Sequence, residues 1–412
     1  MTTATSPVER DRIQVLDVLR GIALLGMFLV HFSDFSTGGN AADEWYRSAV
    51  YLLLEERFWA TFAILFGVGF AIQLRRSDQR GDAFVARYVR RLLTLATFGF
   101  AAHAFFGFNV LLGYAAWGFA LLLFRRWSVR ALVIATVVSA MSQNLYAIAR
   151  VAYAASARGE QAVRAEMASK VAANRAFYEA NRKAQQSTSY RAVLAARLAH
   201  MRWFYAQSFS FLPVNTLTLF LLGLLGLRLG LFDEPERHRR LIASIAVFGV
   251  VSWAVSWWVL PQMPQRTGPT FMGGVILTSL QYGFGLLRPM WLAFAYIGIV
   301  LLLVARDRAW LGRLAAFSWT GRMALTNYMI QIAILDFTFS KYALGVQVRP
   351  LLGLVMALAL FFIDAVCSRW WLGRFRYGPL EWVWRSATYA RWQPWRVVEK
   401  RPALGEQLAA TG

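Results

Sequence analysis

Residues 16–32 read LDVLRGIALLGMFLVHF, apolar on every side apart from Asp17, Arg20 and His31. A helix apolar all round has no face to offer water, so it belongs in a large core or in a bilayer. With its flanks the run covers about 15–33, roughly 28 Å of helix at 1.5 Å per residue, which matches the hydrocarbon thickness of a membrane. Comparable runs follow at about 58–74, 91–108, 110–124, 129–149, 209–227, 241–260, 286–305, 314–336 and 351–372. The pattern predicts an all-α, polytopic transmembrane bundle of about ten helices. The stretch 270–284 is apolar but Gly-rich and short, and reads as a re-entrant or interfacial segment.

Composition agrees. The 412 residues are 58% hydrophobic and only 16% charged, where a soluble domain carries about 25% charge. The net charge of +22 raises nucleic acid as a partner, but the arginines sit in short clusters between apolar runs, with no basic groove or recognition motif. Clusters placed so are topology determinants and contacts for anionic membrane lipids. They fall after alternate spans: Arg75, Arg76, Arg80, Arg87, Arg90 and Arg91; then Arg125, Arg126 and Arg130; later Arg237, Arg239 and Arg240; then Arg306, Arg308 and Arg313. The positive-inside rule then puts both termini in the cytoplasm.

That topology divides the chain into a cytoplasmic tail (1–14), a first membrane region of five spans (15–149), an external loop (150–208), a second membrane region (209–372), and a cytoplasmic interfacial helix and tail (373–412). The external loop carries ten Lys or Arg against the rule and is Ala-rich, reading as one or two helices. The tail RYGPLEWVWRSATYARWQPW interleaves Trp, Tyr and Arg, which suits a helix in the headgroup layer, with a catalytic Glu381 as the lesser alternative. Asp17 and Arg20 interrupt the first span too early for a cleaved signal. Cys367 is the only cysteine, and the four histidines are far apart in sequence, so no metal is expected.

Charges inside lipid cost about 2.5–3.5 kcal/mol each and need a partner or a task. Asp17 and Arg20 are three apart and pair on one helix face. Arg20 and His31 are eleven apart, so they share a face about 16 Å apart along the axis. Glu55, beside Glu56 and Arg57, opens the second span where His31 ends the first, and a carboxylate there would orient the imidazole as a base. Gly67 and Gly69 read as close-packing positions. Span nine, GRMALTNYMIQIAILD, sets Arg322 a turn from Thr326 and Asn327 a turn from Gln331, a polar stripe through the membrane. Asp364 lies near enough in span ten to neutralise Arg322 or Arg20. His103 and Asn109 flank the outer turn between spans three and four. The plainer account of these groups is an Asp17–Arg20 structural pair, an interfacial His31 and interhelical glue.

LDVLRGIALLGMFLVHF (16–32), FAILFGVGF (62–70), HAFFGFNVLLGYA (103–115), FLLGLLGLRLGLF (220–232), GRMALTNYMIQ (321–331) and FRYGPLEWVWR (375–385) resemble the YeiB-like bacterial membrane protein family, named for the DUF418 domain of unknown function. The family usually has Asn at the position of His31 and Asp at that of Asn109. With His31 present, the first span looks like the Arg-x10-His motif of the acyltransferase-3 enzymes, with which YeiB-like proteins are grouped in a transmembrane acyltransferase superfamily. The resemblance implies a buried tunnel in a bacterial inner-membrane protein. It also implies acyl-CoA as cytoplasmic donor and a small-molecule or glycan acceptor with a hydroxyl or amine.

His31 would then be general base or transient acyl carrier, with Arg20 holding phosphates. Arg322, Thr326, Asn327 and Gln331 would line the passage. The alternatives are a transporter or exporter of a small hydrophobic or anionic solute, and a non-catalytic envelope protein. A homodimer is left open, and nucleic acid is not a partner.

Overall fold

The computed structural model describes residues 14–81, 83–108, 110–208, 214–262 and 270–397. Among them the chain is all-helical, and the one β feature is an isolated bridge between Phe375 and Arg396. Among the described residues five segments are long and apolar enough to cross a bilayer: Gln14–Phe35, Ala41–Arg80, Val129–Arg158, Arg239–Gln262 and Pro350–Leu372. Shorter apolar helices, Val110–Phe124, Thr216–Arg228, Phe271–Gln281 and Met290–Arg306, accompany them.

The first span, α1 (Gln14–Phe35), is central rather than lipid-facing. Of its most apolar stretch 61% is buried, against 22% for the corresponding stretch of Val129–Arg158. It packs on α3 (Arg57–Arg80), α13 (Ala315–Arg322) and α15 (Pro350–Leu372). The α1–α13 crossing is backbone on backbone. A Cβ on Gly21 would lie 1.9 Å from the Phe317 carbonyl oxygen, and one on Gly321 would lie 1.9 Å from that of Asp17. Without a hydrophobic driving force between helices in lipid, such small-residue contacts supply the dispersion that holds them together. Gly67 of α3 meets α9 (Val214–Arg228) in the same way, 2.0 Å from the Phe220 carbonyl, but Gly69 faces open space. Only the first is a close-packing position.

Between these lie α2 (Ala41–Leu53), α4 (Phe84–Ala101) with a π-helical turn at Ala102–Phe106, α5 (Val110–Phe124) and α6 (Val129–Arg158). The loop 150–208 becomes the end of α6 and then an antiparallel pair, α7 (Glu160–Gln185) and α8 (Tyr190–Ser208), joined where Asn181 Nδ2 donates to the Ala196 carbonyl at 2.7 Å. The pair docks at the end of the bundle opposite Arg20.

Two expectations are corrected. The segment 270–284 is not re-entrant: with 286–305 it forms one helix, α11 (Phe271–Arg306), beside α10 (Arg239–Gln262). Thr270 caps its start, and Gly283 seats Asn144 of α6, whose amide a Cβ would meet at 1.8 Å. Gly283 thus admits a neighbour instead of ending the helix. Span nine is not continuous either. After the short α12 (Trp310–Arg313), it breaks at Met323 (φ −112, ψ 32) between α13 and α14 (Ala324–Phe339). Two helices take their N-terminal caps from distant acids. Asp43 of α2 accepts from Leu351 N (3.0 Å) and Arg349 at the start of α15, and Glu381 of α16 (Pro379–Tyr389) closes α14.

Candidate functional site

A cavity of about 290 Å³ opens among α1, α3, α4, α5, α13, α14 and α16. Its two ends differ in chemistry. At one end Arg20, Arg91, Arg322 and Arg385 face Asp17 and Glu381; deeper in, the walls are Met27, Trp59, Phe62, Phe66, Leu111 and Tyr114. Four guanidinium groups against two carboxyl groups leave that end cationic, and a low-dielectric surround strengthens the field. Arg20 Nη1 donates to Asp17 Oδ1 at 2.9 Å, the pair that their spacing predicts. Arg91 lies 3.8 Å over the ring of Trp384, whose Nε1 donates to the Arg91 carbonyl at 2.9 Å. Tyr114 donates to the Trp59 carbonyl at 2.7 Å, fixing the aromatic wall. The site thus fits an anionic head with an apolar extension.

Glu381 is built into the cationic mouth. Its Oε1 accepts from Leu325 N (2.7 Å) and Thr326 N (3.1 Å), and its Oε2 accepts from Thr326 Oγ1 (2.6 Å). Burial pushes its carboxyl up from the ordinary carboxylate range, and these donors pull the other way.

The residues singled out from sequence divide among several places. Asp17, Arg20 and Arg322 line the cavity. Arg322 and Thr326 do not share a helical turn, because the break at Met323 separates them, and Thr326 serves Glu381 instead. Asn327 is buried and donates across the break to the Thr320 carbonyl (3.1 Å) and to Ser368 Oγ (3.0 Å). Gln331 Nε2 lies 3.5 Å from His31 Nδ1. None of Thr326, Asn327 and Gln331 lines this cavity.

His31 is half-buried, packs on Phe108 with ring centroids 4.9 Å apart, and has no hydrogen bond with Glu55. Its neighbour is Gln331. The cavity stops at Met27, one turn short of His31, where Met27, Phe62, Phe108 and Leu111 pack around Leu24 and Tyr328. Arg57 is buried and donates to the carbonyls of Leu52 (3.1 Å) and Glu55, closing the turn before α3. Asp364 forms no ion pair with Arg20 or Arg322, and its Oδ2 is buried without a hydrogen-bond partner. Asn109 lies outside the described residues.

His103 belongs to a second group at the opposite end. Its Nε2 lies 3.4 Å from His200 Nδ1 of α8, a pairing invisible at a separation of 97 residues. Beside it Arg197 donates twice to Asp336, with side chains 5% and 6% exposed, and also to the Phe105 carbonyl. Tyr342 and Ser340 complete the shell of Asp336, next to an aromatic recess of about 490 Å³ lined by Phe105, Phe106, Tyr190 and Phe337. Sequence reasoning missed Arg197 and Asp336, although an Asp ending an apolar run is itself a signal. It took Arg91 and Arg385 for topology and headgroup arginines. Among the described residues no three His, Cys, Asp or Glu gather as a metal site.

Residues 227–391 match the family model described as a protein of unknown function (DUF418), and residues 12–156 match that described as heparan-alpha-glucosaminide N-acetyltransferase, catalytic. The uncharacterized protein YxaH of Bacillus subtilis (strain 168) is 29% identical, over 96% of this chain and 98% of its own length. An uncharacterized 39.9 kDa protein of Bacillus acidopullulyticus is 28% identical, over 93% and 96%. The uncharacterized protein YeiB of Escherichia coli (strain K12) is 26% identical, over 92% and 96%. No solved structure matches the chain. Apolar helices long enough to cross a bilayer, the C-terminal match to the DUF418 model and near full-length similarity to YxaH and YeiB agree: this chain is similar to the YeiB-like, DUF418 proteins, and its N-terminal third is similar to an acetyltransferase catalytic model.

Proposed function

We propose that the protein is a transmembrane acyltransferase of the bacterial inner membrane, moving an acyl group from cytoplasmic acyl-CoA to a hydroxyl or amine acceptor. One observation carries the reading: a single cavity joins four arginines at its mouth to an aromatic, apolar interior. Guanidinium groups suit phosphates, which they bind in forked geometry, and the deeper walls suit an acyl chain. The N-terminal match to an acetyltransferase catalytic model supports the same class.

In this reading Arg20, Arg91, Arg322 and Arg385 hold the donor's phosphates. His31, set by Gln331 and Phe108, takes the acceptor's proton as the acceptor oxygen or nitrogen attacks the thioester carbon. The carbon–sulfur bond breaks and the proton passes to the departing thiolate. Met27, a flexible side chain, must swing aside with its aromatic neighbours for the two ends to communicate.

Purified protein in nanodiscs, given radiolabelled acyl-CoA and candidate acceptors, should transfer label. His31→Ala should remove transfer while leaving donor binding, and Arg20→Gln should weaken binding. Transfer undiminished in His31→Ala rejects the mechanism. One observation favours a second reading, a carrier facing one side: the cavity ends at the Met27–Phe62–Leu111 wall. Vesicles that accumulate solute without consuming any acyl donor would establish it in place of the enzyme.

A further inference from the structure

We infer that Glu381 is a positioning residue, whose carboxylate sets the broken span α14 and, through it, the side chains that meet His31. The inference rests on the cavity being the ligand site, but its test uses no ligand.

Helix α14 begins without a cap of its own, since Met323 supplies no side-chain acceptor. The free amides of its first turn are satisfied from another helix: Leu325 N and Thr326 N donate to one oxygen of Glu381, and the Thr326 hydroxyl donates to the other. Leu380 N donates back to Thr326 Oγ1 at 3.1 Å, so α14 and α16 are joined from both sides. The approach requires a glycine next to the acid, because a Cβ on Gly378 would lie 2.2 Å from Glu381 Oε2 and 3.0 Å from Thr326 Oγ1.

The other side of α16 is tied to α4. Trp384 lies one turn beyond Glu381 and holds Arg91 by its ring and its Nε1, while Arg90 Nε donates to the Thr388 carbonyl at 3.1 Å. Helix α16 therefore straddles the cationic mouth, with Glu381 as its hydrogen-bonded attachment to α14. From that attachment α14 runs as a rigid rod. Asn327 registers it against Thr320 and Ser368, and Gln331, about 6 Å further along the axis, reaches His31. Displacing the capped end moves Gln331 relative to the imidazole.

Asp43 supplies a built-in comparison, because it caps α15 with similar bonds yet lies away from the cavity. Glu381→Ala, Glu381→Gln and Asp43→Asn would each be placed in nanodiscs. Two readouts follow: amide hydrogen exchange over residues 324–331, and the rate at which diethyl pyrocarbonate modifies His31, read by mass spectrometry. In Glu381→Ala, exchange at Leu325 and Thr326 should rise about tenfold, the equivalent of one lost helix cap. The His31 rate should change at least about threefold through the shifted helix, with Glu381→Gln between. Asp43→Asn should loosen residues 350–353 and leave exchange at Leu325 and Thr326 unchanged.

An unchanged His31 rate in Glu381→Ala overturns the inference even if exchange rises, since the cap would then be structural only. If that variant does not yield folded protein, Thr326→Val removes the 2.6 Å bond alone, and an unchanged His31 rate there overturns it equally. Absence of acyl transfer in the wild type would reject the proposed activity without touching either readout.

Discussion

Arg197→Met tests what holds the helical insertion to the bundle. Arg197 and Asp336 are almost fully buried, with side chains 5% and 6% exposed. Removing one partner of a buried pair leaves an uncompensated charge and costs about 3–5 kcal/mol. Asp336 would keep the Ser340 hydroxyl at 2.6 Å and the Tyr342 hydroxyl as donors, which argues for the lower end, about 3 kcal/mol. The Phe105 carbonyl loses its guanidinium as well. A loss of that size shifts the docking equilibrium of α7 and α8 by about a hundredfold. Hydrogen exchange and limited proteolysis in nanodiscs, read over residues 160–208, measure it directly. Combining Arg197→Met with Asp336→Leu should recover most of the protection, because an apolar pair of similar volume tolerates the site better than a lone carboxylate. Protection in Arg197→Met within about threefold of wild type, or a double variant no better than the single, would refute the reasoning.

Three further outcomes are expected. Arg91→Gln and Arg322→Gln should each weaken coenzyme A binding by about tenfold, and binding should fall as salt rises; calorimetry showing unchanged affinity would remove the cationic mouth from recognition. Gly321→Val should destabilise by about 3 kcal/mol or more, because its Cβ would fall 1.9 Å from the Asp17 carbonyl in a crossing where neither backbone can yield; thermal melts with size exclusion in detergent would register it.

Burial holds the His200 imidazole below its ordinary 6.5. The undocked ring binds protons more readily than the docked one, so docking of the insertion weakens as pH falls through about 6.5, and the loss levels off once the docked ring also protonates. Proteolysis of residues 160–208 at pH 7.5 and 5.5 should show this in the wild type, and His200→Gln should flatten it.

The sequence by itself determined the all-helical class, the presence of apolar helices long enough to cross a bilayer and the Arg20–Asp17 pair. Each is a local property: apolar length decides what crosses lipid, and a spacing of three decides what shares a helix face. Helix continuity was beyond it. Residues 270–284 are helical, with Gly283 admitting Asn144 of a neighbouring helix, and span nine breaks at Met323, where Glu381, 55 residues from Thr326, caps the new end.

The site was legible only in part for the same reason. Periodicity tells which face a residue occupies but not which helix will lie opposite. That His31 meets Gln331 rather than Glu55, that Arg91 and Arg385 turn from surface charges into cavity walls, and that His103 finds His200 all depend on which helices pack against one another. Tertiary packing made those choices, because a contact across 100 to 300 residues belongs to the assembled bundle and to no single segment of the chain.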